Sequence, residues 1–301
     1  MIRKNVEKLL KFYSYTKQIS ELDRNNYPKL DLEKILEKKK SDTIFILGSS
    51  PSILSIQSDA WKEISQHDSF ALNTFAFHDH IPTYYSFEFT NQLAITHFLF
   101  SEISEKYLGK DETIFFLNFP NFKYSGIKYE SISKIFDKNH MFIMPRFTLD
   151  SNSKYIRKVC KRLHVEKERG KLDYRSFFHI RASVPTCVQI CWALGYKNIC
   201  LPGVDLKNQH YFFQEIDSYN AQEFTRLFEI QTSYTTRTLD VKRFHRTESD
   251  LVSNESDTLP VSQILRILQN ELLSLSGSQI YAYSSESKLS NYFPIWSGVS
   301  T

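Results

Sequence analysis

Seven short apolar runs rich in β-branched and aromatic residues recur along the chain, separated by longer stretches of helical pattern. They are "TIFILG" at 43–48, "SFALN" at 69–73, "TYYSFEF" at 83–89, "TIFFLN" at 113–118, "MFIMP" at 141–145, "NICLPG" at 198–203 and "QIYAY" at 279–283. Between them, "NQLAITHFLFSEISEKYL" and "VPTCVQICWALGY" give the clearest helical spacing. Strands alternating with helices predict a mostly parallel sheet flanked by helices, a Rossmann-like α/β domain. In such sheets ligands bind beyond the carboxyl ends of the strands, so the residues just after each run are the candidates for function. Residues 1–40 read as charged helices, an N-terminal appendage to a domain spanning 41–301. The polar stretch from 205 to 258 interrupts the alternation and predicts a lid over the site.

With 301 residues, 41% of them hydrophobic, the chain can bury a full core. A net charge of +4 arises from 38 basic and 34 acidic residues dispersed along the chain, which argues against a dedicated nucleic-acid partner. Cys160, Cys187, Cys191 and Cys200 form no CxxC pair and read as reduced core residues. No run of 18 apolar residues or signal-peptide pattern occurs, so the expectation is a cytoplasmic protein. Basic and aromatic residues in the N-terminal helices are suited to peripheral attachment at the inner membrane surface.

The first run ends in "FILGSSPSIL", residues 45–54. Gly48 permits a tight bend, Ser49 and Ser50 offer hydroxyls and backbone N–H groups, and Ser50 or Ser52 can cap the helix that follows. The turn reads either as a nucleotide-phosphate cradle or as an ordinary capped helix start, since it lacks the second glycine of the dinucleotide fingerprint and the lysine of the P-loop. Asn73 closes the second run, either as an amide that pairs with a base or sugar or as a turn former. Glu88 ends the third run as a solvated or a functional carboxylate. His78 and His80 in "HDH" lack an evident third ligand, and no metal site is expected there. No Asp-x-Asp occurs anywhere, so a sugar-transfer reaction here would not hold its diphosphate through a divalent cation by that motif.

The densest stretch is "HIRASVPTCVQICWALGYKNICLPGVDLKNQHYFF", residues 179–213. It resembles the corresponding helix and strand of the bacterial lipooligosaccharide sialyltransferases of glycosyltransferase family 42, which show S-G-V, A-L-G-Y-K-x-I and G-I-D in the same order. "FILGSSPSIL" resembles that family's G-x-G-P-S-L turn, "LNTFAF" its C-N-x-F-x-F, and "IYAYSSESKLSNYF" its closing strand and S-x-L-x-N-F tail. The resemblance runs from about 45 to 295.

The resemblance implies a GT-A-like variant of the fold and a metal-independent, inverting transfer of sialic acid from CMP-sialic acid, with no further cofactor. The acceptor is implied to be a galactose-like terminus of a surface glycolipid or polysaccharide. Gly48, Ser49, Ser50, Asn73, Ser183, Gly203 and Asp205 would surround the CMP, with Arg181 close by. Tyr211 would bond the phosphate, and Lys207 stands where the family carries a second phosphate-binding tyrosine. His245 in "RFHRTESD" occupies the general-base position, with His210 as its rival. Glu88 replaces the family's donor-sugar asparagine, which admits CMP-Kdo or another CMP-activated nonulosonic acid as donor. A nucleotide-binding module without transfer activity and a homo-oligomeric state also remain open.

Overall fold

The computed structural model describes residues 2–88, 92–108, 112–118, 126–137, 140–145, 152–207, 210–236 and 259–298; for 2–11 and 231–236 it describes the backbone alone. All seven runs are strands: β1 (Thr43–Leu47), β2 (Asp68–Leu72), β3 (Tyr84–Phe87), β4 (Ile114–Asn118), β5 (Met141–Met144), β6 (Asn198–Leu201) and β7 (Gln279–Ala282). They form one sheet in the order β5-β4-β3-β2-β1-β6-β7, with every pair parallel. The central strands are buried along their whole length, as a sheet covered on both faces requires. The expected fold class is thus the observed one.

The helices are α1 (Ile2–Arg24), α2 (Leu32–Leu36), α3 (Ser58–Gln66), α4 (Leu93–Tyr107), α5 (Tyr129–Ile135), α6 (Ser153–Glu168), α7 (Ser183–Ala193), α8 (Tyr219–Thr236) and α9 (Val261–Leu268). Helix α7 is the most apolar of them. Eight of its residues, Pro185 and Cys187 to Ala193, are buried. All four cysteines are buried and free, and burial pushes each thiol up from its ordinary range.

Both exposed flanks of the sheet are covered by chain ends. On one side Ile143 donates its N–H to Pro28 (2.7 Å) and Lys29 bridges it in parallel. Leu22, Leu30 and Ile35 from the N-terminal segment join the common core. On the other side Ala282 pairs with the 294–296 segment, donating to Pro294 and accepting from Trp296 at 2.9 and 2.8 Å. A strand edge left open is a template for misassembly, and these segments remove it.

After β2 the chain makes a 3-10 turn (Asn73–Phe77) and then the "HDH" corner. The Trp61 ring packs on those of His78 and His80 at 4.5 and 5.0 Å, and Phe75 stacks on His78 at 4.8 Å. His78 Nδ1 accepts the His80 backbone N–H, while His80 Nε2 pairs with Ser69 Oγ at 2.9 Å. Both imidazoles serve packing. Among the described residues no group of three or more His, Cys, Asp or Glu is arranged to hold a metal ion, and no helix is long and apolar enough to cross a membrane.

Burial pulls both imidazoles down to about 4; for His80 the neighbouring His78 adds to this, and for both so does the Lys106 ammonium, which bonds the His78 carbonyl. Their folded-state values lie below the ordinary ~6.5 of an unfolded chain, so the unfolded chain binds more protons between those limits. Stability therefore falls as pH drops from about 6.5 toward 4. Thermal melts from pH 7.5 to 4.5 should show a steeper decline for wild type than for His80→Gln, which keeps a partner for Ser69; identical profiles would refute the assignment.

Candidate functional site

The sheet order reverses direction at β1. Strands β2 to β5 extend to one side, β6 and β7 to the other, so the chain leaves β1 and β6 toward opposite sides of the sheet, the switch point at which open α/β sheets bind ligands. Two backbone hydrogen bonds pin the turns after β1 and β6 together: Gly48 N–H to the Pro202 carbonyl (2.8 Å) and Ser50 N–H to the Gly203 carbonyl (2.9 Å). The approach is so close that a Cβ on Gly48 would lie 2.1 Å from the Gly203 carbonyl oxygen. Gly203 itself has φ +67°, a conformation that costs a glycine little.

The expected capping role of the serines is not what the structure shows. Ser50 occupies the N-cap position of a 3-10 turn (Pro51–Ser55) but makes no side-chain cap bond. Its Oγ instead accepts the Asp205 N–H (3.3 Å), and Ser52 Oγ donates to the Asp205 carboxylate at 2.8 Å. The hydroxyls are spent on the β6 turn because that turn lies against them. Asp205 is buried; desolvation raises its pKa, opposed by the Ser52 bond and the Lys207 charge. Its carbonyl accepts the Lys288 N–H (3.0 Å), and Ser287 Oγ donates to the Val204 carbonyl (2.9 Å), which brings the C-terminal tail to the site.

Asn73 sits at φ +42°, accepting the Glu88 N–H on its side-chain oxygen (3.0 Å) and the Tyr85 hydroxyl on its backbone oxygen. Thr74 donates to Ser49 Oγ (3.3 Å), and the Ser49 carbonyl accepts the Phe212 N–H (3.0 Å). Tyr211 is thereby fixed beside the first turn, its ring stacked on Phe213 at 5.0 Å and edge-on to Phe228 at 5.3 Å. Burial first, and then the Glu88 charge, push the pKa of its hydroxyl well above the ordinary range. Arg181, at φ +58°, donates to the Leu259 carbonyl at 3.0 Å.

A cavity of about 480 Å³ opens over these residues. It is lined by Gly48, Ser49, Ser50, Asn73, Glu88, Arg181, Ser183, Gly203, Asp205, Lys207, His210 and Tyr211, all named from the sequence. His245 and the parts of the expected 205–258 lid at 208–209 and 237–258 lie outside the described residues. The part of the lid that is described forms a 3-10 turn (Phe212–Glu215) and α8. Three of the four non-glycine residues with positive φ among those described, Asn73, Arg181 and Leu206, line this cavity. Such strain gathers where a structure must aim groups at a ligand.

Sequence reasoning missed Lys288, which lines the same cavity, and His179, buried with Nδ1 3.7 Å from Glu88. Lys288 stands inside the tail that was singled out. His179 carried no local signal, because its position depends on the packing of β3 against the loop before α7. The apolar wall from Ile95, Leu99, Phe224 and Phe228 was likewise hidden in ordinary helical periodicity.

No protein-family model matches the chain, and no curated protein matches it either. Among solved structures it is similar to a point variant of the sialyltransferase CST-II crystallised with CMP: 16% identity, TM-score 0.44, covering 86% of this chain and 88% of that one. It is also similar to the monofunctional alpha-2,3-sialyltransferase Cst-I from Campylobacter jejuni: 17% identity, TM-score 0.42, with 84% and 80% covered. A third is an alpha-2,3-sialyltransferase from Campylobacter jejuni in apo form, with 18% identity, TM-score 0.42, and 90% and 83% covered.

The clash at Gly48 gives a direct test of how the site is held. Gly48→Ala should lower the free energy of unfolding by about 2–4 kcal/mol, because backbone on both sides must move. Denaturant titration reads this, and a loss below about 0.5 kcal/mol would mean that the two turns are not locked as described.

Proposed function

We propose that the protein is a glycosyltransferase that moves an acidic sugar, in the leading reading sialic acid, from its CMP donor to a galactose-like acceptor on a bacterial surface glycan. The observation that carries this is the convergence of twelve residues, drawn from three of the four resembling motifs and from the end of β3, on one cavity at the switch point of the sheet, where the fourth motif adds Lys288. Ser49, Ser50, Asn73, Ser183, Gly203 and Asp205 hold the nucleotide. Tyr211 and Lys207 face its phosphate.

In the reaction the acceptor oxygen attacks the anomeric carbon while the bond from that carbon to the phosphate oxygen breaks. The electron pair leaves with CMP, and a base takes the acceptor's proton. The leaving group is a phosphate monoester, whose growing charge the Tyr211 hydroxyl and the Lys207 ammonium stabilise. His245 is the base in this reading. His210, which is exposed and lines the cavity, is its rival. Glu88, a carboxylate in the cavity where the sialyltransferases carry asparagine, supports a second reading in which the sugar is Kdo or another acidic sugar.

CMP should raise the melting temperature with EDTA present, since a ligand that binds the native state alone stabilises it. A shift seen only with UDP and manganese would defeat the CMP-sugar reading. Hydrolysis of CMP-sugar without acceptor separates an enzyme from a binding module.

Tyr211→Phe should lower turnover about ten- to a hundredfold with a smaller change in donor affinity, because the bond strengthens as charge develops. His245→Ala should cost transfer about 10²- to 10⁴-fold while CMP still binds. Full activity in His245→Ala together with a dead His210→Ala would transfer the role to His210.

A further inference from the structure

The carboxylate of Glu88 reaches across from the end of β3 to the first residue of α7, where Ser183 Oγ donates to its Oε1 at 2.6 Å. His179 Nδ1 lies 3.7 Å from the same oxygen, and the His179 and Glu88 side chains are only 9% and 16% exposed. The Glu88 backbone is held in turn by the Asn73 side-chain oxygen at 3.0 Å. Glu88 and Ser183 both line the cavity.

A serine hydroxyl has one proton and two lone pairs. An ionised carboxylate accepts and does not donate, and a hydroxyl-to-carboxylate bond of this length is of the strong, charge-assisted kind. While Ser183 gives its proton to Glu88, what it offers the cavity is a lone pair. A phosphate or carboxylate oxygen of a ligand needs a donor, and the Ser183 hydroxyl supplies none. A ligand hydroxyl or amino group finds an acceptor. Donors to anions stand elsewhere on the cavity wall, at Arg181, Lys207, Tyr211 and Lys288.

We propose that Glu88 is a positioning residue that fixes Ser183 as a hydrogen-bond acceptor toward the cavity, so that Ser183 reads a hydroxyl or amino group of the ligand and no anionic oxygen. The inference rests on the CMP-sugar reading of the cavity and divides its labour. Neutral donor groups of nucleoside or sugar go to the β3 and α7 side, and the charged phosphate goes to the β6 and β7 side.

The test is a double-mutant cycle on the full chain, reading the affinity for CMP relative to cytidine by calorimetry. Ser183→Ala alone should leave that preference within about twofold, since no donor to phosphate is lost. Glu88→Met keeps the side-chain length, frees the Ser183 proton and should raise the preference at least about fivefold. Adding Ser183→Ala to Glu88→Met should take back about threefold or more of the gain. Circular dichroism checks folding, and Glu88→Ala serves in the same cycle where Glu88→Met misfolds.

A Ser183→Ala protein that loses about fivefold or more of its CMP preference overturns the assignment, because Ser183 would then already donate to phosphate. A Glu88→Met gain of equal size with and without Ser183 also overturns it, reducing Glu88 to its charge. Both results leave the CMP-sugar reading standing. A wild-type protein that binds neither probe overturns that reading, and this inference with it.

Discussion

The site depends on one contact between backbones, the approach of Gly48 to Gly203. With no Cβ at position 48 the turns after β1 and β6 lie against each other and exchange two hydrogen bonds. Everything around the cavity is hung on that pair. Ser50 and Ser52 reach the β6 turn, the Phe212 N–H reaches Ser49, and Ser287 and Lys288 reach Val204 and Asp205. Segments as distant as 48, 204, 212 and 288 are thereby brought to one rim. Each bond contributes about 1 kcal/mol net, and more if its partner were left buried and unpaired.

This arrangement has a cost, carried by the rest of the fold. Asn73, Arg181 and Leu206 hold positive φ, at about 1–3 kcal/mol for a strained residue, and Asp205 keeps a carboxyl in a buried place. The offset comes from the sheet, whose strands β1, β2 and β3 are buried end to end, and from α7, nearly all of which is core. The chain ends add to it by closing both sheet edges.

Much of this was legible in the sequence, and the reason is physical. A strand covered on both faces is a short unbroken apolar run, so all seven could be read, with boundaries off by a residue or two. Ligand groups in such sheets follow the strand ends, so Gly48, Asn73, Glu88 and Asp205 could be named from position alone. What could not be read were pairings across the fold. The serines of the first turn look like helix caps locally, and only the β6 turn lying against them makes them braces for Asp205. His179 and the Glu88–Ser183 bond depend on how β3 meets α7, a distance that no local pattern encodes.

That last pairing bears on Tyr211 as well. Burial, and after it the carboxylate nearby, opposes ionisation of the Tyr211 phenol. The same carboxylate takes the proton of Ser183. Tyr211 thus faces the cavity as a protonated phenol able to donate, and Ser183 as an acceptor whose proton Glu88 holds. In the proposed reaction that is the arrangement a CMP-sugar calls for, since its phosphate gains negative charge as it leaves while its ribose and sugar hydroxyls stay neutral donors throughout. An asparagine at position 88 would not fix Ser183 in this way: its amide offers both a donor and an acceptor, so the Ser183 hydroxyl could turn either way toward it.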